Sequence, residues 1–290
     1  MGEISDSRYD GEQKLNLKGI KTDYTGSYKS REEAQPKLEE NISKMIEQQG
    51  KLIADGRYAL LFIFQAMDAA GKDGAISHVM SGVNPQGTQV HSFKQPSSVE
   101  LSHDYLWRVN RHLPEKGKIG IFNRSYYEEV LVVRVHNLIA NERIPEKYAD
   151  DDIWKRRYRQ INDYERYLYE NGVIPVKFFL HISKEEQKKR LLARIEDKSK
   201  NWKFSEADIK ERQYWDEYQK CYEETINETG TKHAPWYVIP SDEKWYTRLL
   251  ISEIIVKTMK SLDLAYPQLN QEQEGVLAKY RKLLEEDGKA

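Results

Sequence analysis

The feature that most limits the folds open to this chain is one strand–turn–helix signature. Tyr58-Ala59-Leu60-Leu61-Phe62-Ile63-Phe64 is a continuous apolar run with no polar face. A run of that length without alternation suits a strand buried on both sides. It leads into Gln65-Ala66-Met67-Asp68-Ala69-Ala70-Gly71-Lys72-Asp73-Gly74 and out through the helical pattern Ala75–Met80. Small residues let backbone N–H groups curl around an anion, and the start of a helix adds its positive dipole end. Ala69, Ala70, Gly71, Asp73 and Gly74 would then cradle phosphate, with Lys72 reaching the phosphate that moves.

The loop departs from G-x-x-x-x-G-K-[ST] in two places. Ala66 stands where the first Gly belongs, and Asp73 where the Mg²⁺-binding Ser or Thr belongs. Asp68 lies inside the loop, and a carboxylate beside bound phosphates is repulsive unless a divalent cation sits between them. Asp68 therefore reads as a metal-organising or catalytic group. The plain alternative is an ordinary strand-to-helix turn with Asp68 as helix N-cap. A loose Gly-Lys loop does not separate the two; the rest of the chain must.

With 290 residues, one large α/β domain or two small ones are both open. The 46 basic and 47 acidic residues leave a net charge of −1, so nothing announces a nucleic-acid partner. A polyanion site must be a local concentration of Lys and Arg. The lone cysteine, Cys221, excludes disulfides within the chain and Cys-based zinc sites, and fits a reducing cytoplasm. No apolar stretch approaches membrane-spanning length, no membrane partner is expected, and Met1–Asp6 lacks signal-peptide character.

Residues 1–30 read as an extended arm lying on the body or on a partner subunit. Ser30-Arg31-Glu32-Glu33 resembles a capping box opening a helix that Gly56 ends. A short strand is expected near Thr88–Phe93, a helix over Val99–Leu113 carrying Arg108 and Arg111, and a buried strand at Lys118–Phe122. A polar helix from about Asp151 to Glu170 precedes a strand at Val173–Ile182. Ser183 opens a helix with Arg190, Arg194 and Lys198 at four-residue spacing, close to one face. Further helices are expected over Glu206–Asn227, Glu243–Ser261 and Gln271–Glu286, with a strand at Trp236–Pro240. Apolar runs alternating with helical patterns predict an α/β chain with a parallel sheet and helices on both faces. Ligands then sit at the carboxyl ends of the strands, which gathers the loop, the segment Asn123–Glu129 and the basic helix in one crevice.

Phosphoryl transfer needs charge neutralisation and in-line positioning. Lys72 can clamp the moving phosphate and Arg124 can bind its oxygens. Asp68, Glu128 and Glu129 can hold Mg²⁺ directly or through water. Arg190 and Arg194 can close over the site. Each has a bland counterpart: dipole-stabilising acids at a helix start, an ion-pair partner for Arg124, a solvated face for the two arginines. Trp202-Lys203-Phe204 could be a packed hinge or could stack a ring on a nucleobase.

The set Asp68–Gly74 followed by Asn123-Arg124-Ser125-Tyr126-Tyr127-Glu128 resembles the polyphosphate kinase 2 family. The likeness extends through Gly82–Gly87, Val132–His136 and Asn201–Phe204, roughly over residues 20–265. It implies a three-layer α/β/α sandwich of P-loop kinase type spanning residues 1–290 as one domain, with a basic helical lid at about 184–228. It implies transfer of the terminal phosphate of inorganic polyphosphate to AMP or ADP, reversibly, with ATP among the nucleotides. The implied cofactor is Mg²⁺, or Mn²⁺ in its place, and the implied assembly a homo-oligomer. Asp68, Lys72, Arg124 and Glu129 would be catalytic, Asp68 and Glu129 holding the metal. Arg134, Arg190, Arg194 and Lys203 would bind phosphate, with Lys94 and Arg108 as outer contacts. Asn84, Asn123 and Glu128 would touch the nucleotide. Other members carry Asp where Asn123 stands, which shifts weight for metal binding to Asp68 and to Glu128 or Glu129. Two other readings stand beside this one: a nucleoside monophosphate kinase using ATP, and a polyanion-binding module with a degenerate loop.

Overall fold

A computed structural model describes residues 2–287. In chain order the elements are α1 (Gly2–Ser7), β1 (Arg8–Tyr9), α2 (Arg31–Asp55), β2 (Ala59–Ala66), α3 (Lys72–Val79), β3 (Thr88–Ser92), α4 (Trp107–Asn110) and β4 (Ile119–Asn123). They continue with α5 (Val132–Val135), α6 (Ile153–Glu170), β5 (Val173–His181), α7 (Lys184–Glu196), α8 (Glu206–Glu211), α9 (Trp215–Thr229), β6 (Trp236–Pro240), α10 (Lys244–Lys260) and α11 (Gln271–Glu286).

All eight residues of β2 are buried, as a strand covered on both faces requires. It pairs in parallel with β4 on one side and β5 on the other, in the sheet order β1-β6-β5-β2-β4-β3. Only β1 is antiparallel, against β6. From β2 the chain moves outward to β3 and returns to β4, then crosses to β5 on the opposite side. The strand order therefore reverses at β2, and the crevice opens beyond its carboxyl end. Phe64 lies beside Asn123 and Ala66 beside Leu180, so three strands end around one point.

Alternation along β5 sorts the helices into layers. Lys177 and Phe179 point at α6 and α9, where Phe179 stacks on Tyr222 at 4.2 Å. Phe178 points the other way, stacked on Phe64 at 4.9 Å. On that second face α10 packs against α2 and α3, and a buried Asn41–Ser252 hydrogen bond of 2.9 Å joins α2 to α10. The Ser30 hydroxyl caps α2 by accepting from Glu33 N, and Gly56 ends it in the left-handed region at φ 66°.

Three expectations change. The N-terminal segment is not simply extended: it forms α1 and β1, and buries Leu15 and Leu17 against the body. The helix expected over Val99–Leu113 shrinks to a 3₁₀ turn at Glu100–Ser102 and the four residues of α4. Ser97 exchanges hydrogen bonds with Glu100, and the Asp104 carboxylate accepts from Leu106 N, so side chains take the backbone donors a longer helix would use. The helix expected over Glu206–Asn227 is interrupted by a 3₁₀ turn at Arg212–Tyr214. Among the described residues no helix is long and apolar enough to cross a membrane.

Candidate active site

The loop after β2 closes tightly. Ala70 N donates to Met67 O at 3.3 Å, and Ala75 N to Gly71 O at 2.9 Å. Ala69 and Gly71 take left-handed conformations, at φ 61° and 104°. Gly71 does so without cost, whereas Ala69 is held against a preference of about 1 kcal/mol or more. Non-glycine residues in that region persist where the surroundings over-determine them, commonly at ligand sites. Arg124, at the end of β4, is a second case at φ 63°. Its N–H donates to Phe64 O at 3.0 Å, so the turn that aims Arg124 is tied to the strand that carries the loop.

These two turns bring four charged side chains together. Arg124 Nη2 donates to Asp68 Oδ1 at 3.1 Å, and Lys72 Nζ donates to Ala66 O at 3.1 Å across the loop. Burial lowers the Lys72 pKa, helped by Arg124 and opposed by Asp68, Glu128 and Asp73. Burial raises that of Glu128, opposed by Arg124 and Lys72. Asn123 Nδ2 donates to Asp73 Oδ1 at 2.6 Å, joining the tip of β4 to the first turn of α3. Tyr222 of α9 faces Glu128, Arg124 and Asp68 and is pushed well above its usual pKa, by burial first.

Other expected site residues lie elsewhere. Glu129 does not pair with Asp68. Its carboxylate lies 3.3 Å from Arg157 Nη1; burial and the neighbouring Glu142 charge push its pKa up to about 8. Glu128, its neighbour, stands beside Lys72 and Arg124 instead. Arg190 is not a lid residue. It is buried, and donates to Ala69 O at 3.2 Å, Ala70 O at 2.8 Å, Ser241 O at 2.6 Å and Asp242 O at 2.9 Å. With Gln187 Nε2 on Asp68 O at 3.0 Å, it braces the loop from α7. Arg134 pairs with Glu224 at 2.8 Å and donates to Tyr158 OH, so it joins α5 to α9 and α6. Asn84 caps the turn Pro85–Gly87 before β3, at the amino end of the sheet, opposite the crevice. Arg194 pairs with Asp208 at 2.5 Å and donates to Lys203 O. Lys203 is exposed, its ammonium 5.0 Å from the Trp202 ring centre.

The sequence reading missed three groups. Asp208 of α8, paired with Arg194, is raised in pKa by burial and then by the negative charge of Asp68. Lys244 and Arg248, four residues apart on α10, are both lowered, by burial first and then by neighbouring cations. A Cβ on Gly74 would lie 3.9 Å from Arg248 Nη2, so this basic run starts beside the loop. Neither is in an ion pair among the described residues. Their four-residue spacing was the available signal, but it sits inside a helix otherwise rich in apolar residues.

Two cavities open on the other side. One, of about 270 Å³, runs from Arg124, Ser125 and Glu128 past Phe93, Lys94 and Arg108 to Glu129 and Glu142. The second, of about 460 Å³, shares Arg108, Glu129 and Glu142 and continues to Tyr105, Tyr148 and Arg156. Arg108 also lies over the Phe93 ring at 5.2 Å. Among the described residues no three His, Cys, Asp or Glu side chains are grouped to hold a metal. Mg²⁺ typically uses one or two carboxylates and completes its shell with phosphate oxygens and water. Asp68, on the loop itself, fits that pattern; Glu129, turned toward Arg157, does not.

A parallel sheet with a phosphate-type loop at its switch point, flanked by a cavity and a basic run, defines a P-loop kinase-like phosphotransferase. The polyphosphate kinase 2 family model matches residues 28–267. An ADP-polyphosphate phosphotransferase of Rhodopseudomonas palustris is 49% identical over 274 residues, 94% of this chain and 95% of that protein. An AMP/ADP-polyphosphate phosphotransferase of Meiothermus ruber is 44% identical, over 88% of this chain and 92% of that protein. The crystal structure of polyphosphate kinase 2 from Arthrobacter aurescens TC1 superposes with a TM-score of 0.85 at 39% identity, covering 95% of each chain. The chain belongs to the polyphosphate kinase 2 family.

Proposed function

We propose that this protein moves the terminal phosphoryl group of inorganic polyphosphate onto AMP and ADP, reversibly and with Mg²⁺. The observation that carries the reading is the convergence of Asp68, Lys72, Arg124 and Glu128 between a nucleotide-sized cavity and an unpaired basic run. The polyphosphate chain follows Lys244 and Arg248 to the loop. The acceptor lies in the cavity beyond Arg124, its phosphate toward Glu128. A phosphate oxygen of the acceptor attacks the terminal phosphorus, the bond to the bridging oxygen breaks, and polyphosphate leaves one unit shorter. AMP becomes ADP and ADP becomes ATP. Lys72 and Arg124 offset the charge on the transferring group, and the loop N–H groups orient it. Mg²⁺, held by Asp68 and the substrate phosphates, would supply further charge neutralisation; Mn²⁺ suits the same oxygen ligands.

The names of the two relatives favour polyphosphate over ATP as donor. The test gives AMP or ADP with Mg²⁺ and either polyphosphate or ATP. Product formed with polyphosphate supports the reading, and ADP formed from AMP only with ATP overturns it. We place the protein in the cytoplasm on its single cysteine, and as a homo-oligomer. The apolar residues Val276, Leu277, Tyr280, Leu283 and Leu284 are exposed on α11 and motivate the latter. Light scattering on the purified chain reports the assembly directly.

A further inference from the structure

Beneath the turn that carries Arg124 and Glu128 lies a charged cluster with no access to solvent. Lys177 of β5 and Glu165 of α6 are both fully buried, and Lys177 Nζ donates to Glu165 Oε2 at 2.6 Å. The same ammonium donates to Tyr127 OH at 3.0 Å and to Thr229 O at 2.7 Å. Tyr126 OH and Tyr127 OH each donate to Glu165 Oε1 at 2.7 Å. All three ammonium protons and both carboxylate oxygens are therefore used. Burial alone would drive Lys177 toward neutrality, and Glu165 opposes it.

Such a cluster is a poor device for stability. Replacing a buried ion pair by well-packed apolar groups is often neutral or stabilising. Its geometry is more specific than stability needs. Two consecutive tyrosines of a five-residue 3₁₀ helix, Tyr126–Val130, converge on one carboxylate oxygen. That fixes the rotation of the helix about its own axis. Glu128 is the next residue on it, and Arg124 enters it in a strained left-handed conformation. On the upper side Ser125 Oγ accepts from Tyr127 N at 3.1 Å and from Gln65 Nε2 at 3.2 Å, which locks the same turn to β2. The turn is thus held from the loop strand above and from the ion pair below.

We infer that Lys177 and Glu165 are positioning residues for phosphoryl transfer, acting through the hydroxyls of Tyr126 and Tyr127 to set the directions of Arg124 and Glu128. The inference rests on the reaction proposed above. Near-attack geometry is sensitive to small displacements, so a freed turn lowers turnover while the substrates still bind.

The experiment compares the wild type with Tyr127→Phe, Tyr126→Phe/Tyr127→Phe and Lys177→Met/Glu165→Gln. Melting temperature, kcat and the KM values for ADP and polyphosphate are measured well below each melting point. The double tyrosine variant is expected to lose kcat by about tenfold or more, with KM values within about threefold of wild type. Tyr127→Phe should fall between it and the wild type. A fall in melting temperature with kcat within about fivefold of wild type in every folded variant marks a structural role only and overturns the inference. If the Lys177→Met/Glu165→Gln protein fails to fold, the tyrosine variants, which lose only hydroxyls, decide. A wild type without transfer from polyphosphate to any nucleotide overturns the proposed reaction and this inference with it. An active wild type with equally active variants overturns this inference alone.

Discussion

Arg190 separates two accounts of how the basic helix serves the site. If it closed over substrate as a lid, removing it would weaken phosphate binding and leave the apo protein as stable as before. The structure has it buried, donating to four backbone carbonyls and to Glu186 at 2.8 Å. Arg190→Met keeps the length of the stem and deletes the fork. Hydrogen bonds to charged groups contribute roughly 1.5–3 kcal/mol each, but four around one guanidinium are not additive. Removing one partner of a buried charged pair typically costs about 3–5 kcal/mol, and that range suits this site. Glu186 would also lose its partner. For a domain of this size the loss lowers Tm by roughly 10 °C. Arg190→Lys should recover little, because one ammonium cannot reach carbonyls that the fork spans. The assay is urea unfolding of substrate-free protein, followed by kcat at a temperature where the variant is folded. An Arg190→Met protein that unfolds at the wild-type urea concentration while its KM for polyphosphate rises would refute the bracing role.

Lys72→Ala should fold normally, since its ammonium makes a single hydrogen bond to Ala66 O, yet lose about 100-fold or more in kcat; undiminished turnover would remove Lys72 from the chemistry. His181 is buried and its pKa is pushed down to about 4 by burial, so between that value and its ordinary 6.5 the unfolded chain binds more protons than the native one. Its contribution is full above 6.5, declines by about 3 kcal/mol as pH falls, and is gone below about 4, so wild type should lose more stability than His181→Asn between pH 7 and 4.5 in urea titrations. Polyphosphate binding should weaken steeply with salt, and the double change Lys244→Gln/Arg248→Gln should reduce the log–log slope by roughly 1.4, at about 0.7 per contact on a flexible polyanion; an unchanged slope would take the basic run off the donor path.

The β2–loop–α3 unit was legible because its constraints are local. A strand buried on both faces must read as an unbroken apolar run, and Gly71 takes one of the loop's two left-handed positions without strain, Ala69 taking the other. The strand at Trp236–Pro240 and the helix at Gln271–Glu286 were legible for the same reason, and both have the expected bounds. The segment 99–113 was not. Leu101, Tyr105, Val109 and Leu113 recur at helical spacing, but Ser97 and Asp104 offer the backbone a different set of partners. Adjacent acids were equally opaque. Glu128 and Glu129 sit on a 3₁₀ helix, where neighbours diverge by about 120°. Nothing in their order tells which one the underlying tyrosines turn toward Lys72.

Cations divide by what surrounds them, and spacing along the chain does not show this division. Arg157, Lys177 and Arg190 are buried, and each is surrounded by carboxylates or carbonyls from distant segments. Their partners, such as Glu165 or Ser241 O, lie 12 and 51 residues away, beyond any local pattern. Lys72, Lys244 and Arg248 are in no ion pair among the described residues, and their pKa values are lowered, by burial first and then by a neighbouring cation. Lys244 is exposed and Arg248 half-buried, so water solvates both and an anion can reach them. An anion that met both would run from α10 toward the loop, because Gly74 lies beside Arg248. The buried cations build the frame, and the unpaired ones are the groups on which the donor path proposed above depends.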